Sequence, residues 1–259
     1  MPKHRPRISQ PIRPIELIGG KKGVLLLHGF TATPECFKYL AQELNQAGFT
    51  VLAPVLAGHG SVPEHLEETE WHDWYKSAEE AYHRLRQHCS SISVLGLSMG
   101  GLLTLHLASQ HPGIKALGLL ATPLFLDSWL LRFIFPLIWK TPLKYLYRYQ
   151  KKYAVAINDP VEKRRYQTYE KIPVVSVANL LDLQKIVRKE LVRIRQPTLI
   201  AHALDDDTVP FANLDYIRAC IGSDEVETLT LKKSSHIITL DYDREVVAKR
   251  VTKFFKKHF

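Results

Sequence analysis

Six short apolar runs, separated by longer amphipathic segments, constrain the fold of this chain more than any other feature. The runs are Val24-Leu25-Leu26-Leu27, Phe49-Thr50-Val51-Leu52-Ala53, Ile92-Ser93-Val94-Leu95-Gly96-Leu97, Ala116-Leu117-Gly118-Leu119-Leu120-Ala121, Thr198-Leu199-Ile200-Ala201-His202-Ala203 and Val226-Glu227-Thr228-Leu229-Thr230-Leu231. Several are apolar throughout, the pattern of strands covered on both faces. Between them lie segments with helical spacing. Residues 35–47 carry Phe37, Leu40, Ala41 and Leu44 before Gly48, and residues 73–88 carry Trp74, Ala78, Ala81, Tyr82 and Leu85. Residues 102–109, 212–221 and 243–259 read the same way. Strand alternating with helix implies an α/β fold: a mostly parallel sheet with helices on both faces. A chain of 259 residues suits one such domain.

The alternation breaks between residues 123 and 196. That stretch is aromatic, basic and helix-rich, and no clear strand is visible in it. It reads as a helical cap (123–196) inserted into a core made of residues 1–122 and 197–259. Residues 128–139 within it are membrane-like, but Arg132 and Pro136 interrupt them. The run is also too short to span, since a transmembrane helix needs about 20 apolar residues.

Composition removes several classes. With 46% hydrophobic and 24% charged residues, the chain is neither disordered nor fibrous. Cys36, Cys89 and Cys220 are odd in number and form no CxxC pair, which argues against a disulfide framework or a zinc site and fits a reducing compartment. The N-terminus is basic with no apolar stretch behind it, so no secretory signal is read there and cytoplasmic residence is expected. The net charge of +9 is spread over clusters that read as solvated helix faces. No groove-binding motif accompanies them, so no nucleic-acid partner is expected.

Chemistry concentrates at Gly96-Leu97-Ser98-Met99-Gly100. This GxSxG follows a strand and opens a helix, the context of a nucleophile elbow, with small residues at minus two and plus two where the turn is sharp. The bland alternative is a glycine-rich turn whose serine merely caps the helix. A serine hydroxyl needs a base. His236 lies in the loop after the last strand, where a base reaches such an elbow. An acid belongs after the preceding strand, and Asp205-Asp206-Asp207 stands there. Residue type and position do not choose among the three aspartates. Two donors must meet a developing oxyanion. The N–H of Met99 is one, and Phe30, in the loop after the first run, supplies the other. His59 in Gly58-His59-Gly60 is read as part of a structural loop near the site, because no second metal-ligand type clusters with it.

These residues together resemble the bacterial carboxylesterase and monoacylglycerol lipase group of α/β-hydrolases, a serine aminopeptidase S33-like domain. The resemblance runs from about Lys22 to the C-terminus. It rests on Leu27-His28-Gly29-Phe30, on Pro54 through Gly58-His59-Gly60, and on Gly96 to Gly101. Asp206 to Pro210 and Ser235 to Asp241 complete it, with Trp71 to Trp74 and Ile157-Asn158-Asp159-Pro160 in support. It implies Asp206 as the acid, with Asp205 in reserve; a glycine frequent in the group three positions earlier is Ala203 here. It implies a Ser98–Asp206–His236 triad, an oxyanion hole from Phe30 and Met99, and ester hydrolysis through an acyl-enzyme with no metal or organic cofactor.

The expected substrates are esters of short to medium acyl chains, monoacylglycerols among them, held in an apolar cap pocket that includes Trp129, Phe133, Ile134 and Ile138 and touches lipid surfaces transiently. Lysophospholipase and thioesterase activities share this mechanism, and a weakly catalytic ligand receptor shares the fold. Oligomeric state is not legible.

Overall fold

The computed structural model describes residues 12–126, 148–151 and 155–259. Among these, seven strands form one sheet: β1 (Ile15–Leu17), β2 (Lys22–Leu27), β3 (Thr50–Ala53), β4 (Ser91–Leu97), β5 (Leu117–Leu120), β8 (Thr198–Ala203) and β9 (Val226–Leu231). Their order is β1-β3-β2-β4-β5-β8-β9. Every pairing is parallel except that of β1 with β3. The helices are α1 (Lys38–Gln46), α2 (Pro63–Glu67), α3 (Trp71–His88), α4 (Met99–Gln110), α5 (Pro160–Arg165), α6 (Val174–Glu190), α7 (Ala212–Cys220) and α8 (Arg244–His258).

Successive residues of the central strands feed two cores. Leu25 and Leu27 of β2 join Trp74, Ala78, Leu102 and Leu103 on the side of α3 and α4. Val24 and Leu26 join Leu40, Leu44, Phe254 and Phe255 on the side of α1 and α8. This is the period-two alternation of a strand read from both faces, so an all-apolar run is required rather than an amphipathic one. Helix α4 runs beneath β4 and is buried from Met99 to Ala108, which explains why it carries no polar face. Helix α3 does have one, and its start is fixed by a capping box between Glu70 and Asp73.

The stretch expected to lack strands contains two. Tyr149–Lys151 (β6) pairs antiparallel with Lys171–Pro173 (β7) as a separate two-stranded sheet. Polar contacts rather than an apolar alternation hold it against α2. Tyr149 Oη–H donates to Glu67 at 2.6 Å and Arg148 Nε donates to the same carboxylate at 2.6 Å. The Lys171 ammonium pairs with Glu64 and lies 4.0 Å from the centre of the Tyr149 ring. A pattern search keyed to hydrophobic periodicity has nothing to detect there.

Further contacts tie residues 155–196 to the preceding part of the chain. Tyr169 Oη–H donates to Gly58 O at 2.8 Å, Ser176 Oγ–H to Leu66 O at 3.1 Å and Gln184 Nε2–H to Pro123 O at 2.8 Å. Among the described residues no helix is long and apolar enough to cross a membrane.

Candidate active site

Strand β4 delivers Ser98 to the carboxyl edge of the sheet, and α4 begins at the next residue. Between them Ser98 takes φ 56° and ψ −122°, a region that costs a non-glycine residue of order 1–3 kcal/mol. The surroundings impose it. Ser98 N–H donates to Leu120 O and Gly101 N–H donates to Ser98 O, both at 2.8 Å. The turn leaves no room beside it: a Cβ at Gly100 would lie 1.8 Å from Leu27 O, and one at Gly96 would lie 2.0 Å from Gly100 O.

His236 follows β9 and is 6% exposed. Its Nε2 lies 2.9 Å from Ser98 Oγ and its Nδ1 lies 2.8 Å from Asp206 Oδ2. A carboxylate only accepts, so Nδ1 carries the proton and Nε2 is left to accept from the serine hydroxyl. Among the three consecutive aspartates, Asp206 alone reaches the imidazole. Asp205 is exposed, and Asp207 turns to Ser235 Oγ at 3.2 Å. The other oxygen of Asp206 accepts the backbone N–H groups of Thr208 and Val209 at 2.9 and 2.8 Å. Burial by itself raises the pKa of Asp206, but hydrogen bonds from His202, His236 and Val209 outweigh it and hold the carboxyl well below the usual range. It is therefore an anion at neutral pH.

The loop after β2 closes against the serine. A Cβ on Gly29 would stand 3.2 Å from Ser98 Cβ; Phe30 is the next residue of that loop, and Met99 opens α4. His28, fully buried, anchors this loop. Its Nδ1–H donates to Gly29 O at 3.0 Å and its Nε2 accepts from Leu56 N–H at 3.1 Å. That arrangement requires neutral imidazole. Burial, with the neighbouring His59, lowers the His28 pKa to about 3. His59 donates from Nδ1 to Ala57 O at 2.8 Å and packs edge-on against Trp74 and Phe30. These contacts hold His59 within the loop itself.

Three contacts here were not legible in the sequence. Thr31 adopts φ 61° beside Thr168, whose hydroxyl donates to Thr31 O at 3.0 Å. Asp241, fully buried, accepts the backbone N–H groups of Asn158, Asp159, Ser235 and Tyr242. His202 touches Asp206. Trp129, Phe133, Ile134 and Ile138, expected to line an acyl pocket, lie outside the described residues. Among the described residues, side chains within mutual metal-ligand reach are Glu79, His83 and His111, and Glu225, Glu227 and His258. Neither group includes Ser98, Asp206 or His236.

Residues 20–243 match the family described as serine aminopeptidase, S33. The chain belongs to that family. Within it, the chain is 40% identical over 241 residues to the thermostable monoacylglycerol lipase of Bacillus sp. (strain H-257), with 92% of each chain covered. It is 31% identical over 246 residues to the carboxylesterase of Bacillus subtilis (strain 168), covering 95% of this chain and 96% of the relative. The expected kinship with carboxylesterases and monoacylglycerol lipases is thus borne out. A solved structure from the metagenome-derived lipolytic enzymes LipS and LipT superposes with a TM-score of 0.88 at 30% identity, covering 96% of this chain and 98% of that one. The monoacylglycerol lipase of Paleococcus ferrophilus superposes with a TM-score of 0.80 at 16% identity, over 96% of this chain and all of its own, a likeness of fold. This S33-family chain has the α/β-hydrolase fold that the strand and helix alternation implied.

Proposed function

We propose that this protein hydrolyses carboxylic esters of short to medium acyl chains, including monoacylglycerols, through an acyl-enzyme on Ser98. The observation that carries the reading is the continuous hydrogen-bonded line Ser98–His236–Asp206, with distances of 2.9 and 2.8 Å. As Ser98 Oγ attacks the ester carbonyl, its proton passes to His236 Nε2. Asp206 keeps the imidazole in the Nδ1–H form and stabilises the imidazolium. The N–H groups of Phe30 and Met99 receive the oxyanion, and the positive end of α4 reinforces them. The imidazolium then protonates the departing alcohol, and water, activated by the same His236, releases the acid. The names of the two Bacillus relatives support an ester over an amide as the bond cleaved.

In this proposal residues 1–122 and 197–259 form the catalytic core and residues 123–196 a cap. The apolar residues Trp129, Phe133, Ile134 and Ile138 receive the acyl chain and meet lipid surfaces. Cys36, Cys89 and Cys220 are free thiols, in keeping with a reducing cytoplasm. Wild type and Ser98→Ala are to be assayed side by side on nitrophenyl esters, monoacylglycerols, lysophospholipids, acyl thioesters and aminoacyl amides. Ester hydrolysis that leads the panel and disappears in Ser98→Ala is the expected result. A preference for amides or thioesters replaces the substrate assignment, and hydrolysis that survives Ser98→Ala overturns the acyl-enzyme.

A further inference from the structure

A second histidine meets the carboxylate of Asp206. His202 lies within β8, four residues before the acid, and neither side chain has any exposure. Its Nε2 stands 3.0 Å from Val209 O and 3.2 Å from Asp206 Oδ2. Both neighbours only accept, so Nε2 carries a proton. The other ring nitrogen, Nδ1, is buried without a hydrogen-bond partner. A proton there would leave a buried donor unpaired, which is the costlier arrangement. The Nε2–H neutral tautomer satisfies Nε2 and leaves at Nδ1 an unpaired acceptor rather than an unpaired donor.

The consequence is a carboxylate held on every side. Oδ1 accepts from the backbone of Thr208 and Val209, and Oδ2 faces the imidazoles of His236 and His202. His202 also grips the carbonyl of Val209, the same residue whose N–H reaches Oδ1. The strand end and the acid turn are thereby clasped at two points. Phe211 packs edge-on against the His202 ring, 5.8 Å between centroids, and keeps it in this plane. The Nε2–H hydrogen-bonds Val209 O and stands in polar contact with Asp206 Oδ2; an apolar residue would fill the volume and remove both interactions.

We propose that His202 is a positioning residue for Asp206, fixing the plane in which the carboxylate meets His236. The proposal rests on the acyl-enzyme reading above. It places no new group on the substrate: His202 acts through Asp206, and its effect belongs in turnover rather than in substrate binding.

The test compares His202→Leu, which keeps volume without a donor, with His202→Gln, which returns an N–H near the position of Nε2. On a nitrophenyl ester, kcat of His202→Leu should fall about tenfold with KM within about twofold, and His202→Gln should regain most of the loss, as expected for a hydrogen bond to a charged group. The NMR resonance of the proton shared by His236 Nδ1 and Asp206 should move in His202→Leu and return in His202→Gln. Wild-type protein labelled with ¹⁵N supplies a measurement independent of whether His202→Leu folds: His202 should be the Nε2–H tautomer with a slowly exchanging proton. An Nδ1–H tautomer, or full kcat with an unmoved resonance in His202→Leu, overturns the positioning role. Failure of an active-site phosphonate to modify Ser98 overturns the acyl-enzyme reading instead, so the two failures are distinguishable.

Discussion

The carboxylate of Asp206 lies 2.8 Å from Nδ1 of His236, with neither side chain more than 7% exposed. In Asp206→Asn the amide presents either a neutral oxygen or an N–H to that nitrogen, and the second choice enforces the wrong tautomer for accepting from Ser98. We predict a loss of about 10³–10⁴-fold in kcat with little change in KM. Steady-state kinetics on a nitrophenyl ester measures both, and a loss under tenfold contradicts the assignment of the acid.

Acid should destabilise the protein before most carboxylates titrate. The pKa of His28 is lowered by burial from 6.5 to about 3, and that of His59 from 6.5 to about 4. Below pH 6.5 the unfolded chain binds protons at these histidines that the folded chain does not, so their contribution is full above pH 6.5 and falls steadily toward pH 4. Asp206, held below its ordinary value of 3.8, adds a loss only as pH falls further. Urea midpoints measured from pH 7.5 to 4.5 should decline. His59→Asn, which keeps a donor for Ala57 O but does not titrate, should flatten the slope.

Asp241 accepts four backbone N–H groups, two on each oxygen. Asp241→Asn turns one acceptor into a donor, and whichever way the amide sits, two of those N–H groups face another N–H. We predict a loss of about 2–4 kcal/mol in urea-unfolding free energy. Activity should fall too, because Ser235 directly precedes His236 and Asn158 and Asp159 lie in the stretch proposed as a cap. Unchanged stability contradicts the buried hub.

The elbow glycines differ sharply from a surface one. Gly100→Ala would push a Cβ to 1.8 Å from Leu27 O, whereas at Gly113 the nearest heavy atom, on the flexible Arg86 side chain, is 3.9 Å away. Gly100→Ala should abolish cooperative folding or activity, while Gly113→Ala should shift the melting temperature by no more than about 2–4 °C, within 1 kcal/mol for a chain of this size. Circular dichroism melts of the two variants decide this.

What the sequence disclosed follows the physics of each element. The runs over β2, β4 and β8 are apolar because both faces are covered, so their existence and approximate ends were readable, and for β8 the bounds coincide. Ser98 and His236 were readable because strand ends in a parallel sheet converge on one edge, which makes chain order a guide to space. The start of α4 was read late: Met99, Gly100 and Gly101 are helical because the strained serine turn runs straight into them, not because of their propensity. Strand β1 is three residues long, half-buried and antiparallel at the edge, too brief to leave a pattern. Strands β6 and β7 depend on contacts to Glu64 and Glu67 far away in the chain. The choice among Asp205, Asp206 and Asp207 turned on side-chain direction, which spacing alone does not carry; the family resemblance pointed to Asp206, and the geometry brings that carboxylate to His236. The roles of His202 and Asp241 were invisible for the same reason, since each is defined by what it touches.

The central claim is that Ser98 is the nucleophile. Intact-protein mass spectrometry after treatment with an alkyl phosphonate ester tests it most directly. The account predicts one adduct per chain, mapped by peptide sequencing to Ser98 and absent from Ser98→Ala. An adduct on another residue, or equal labelling of Ser98→Ala, would contradict it.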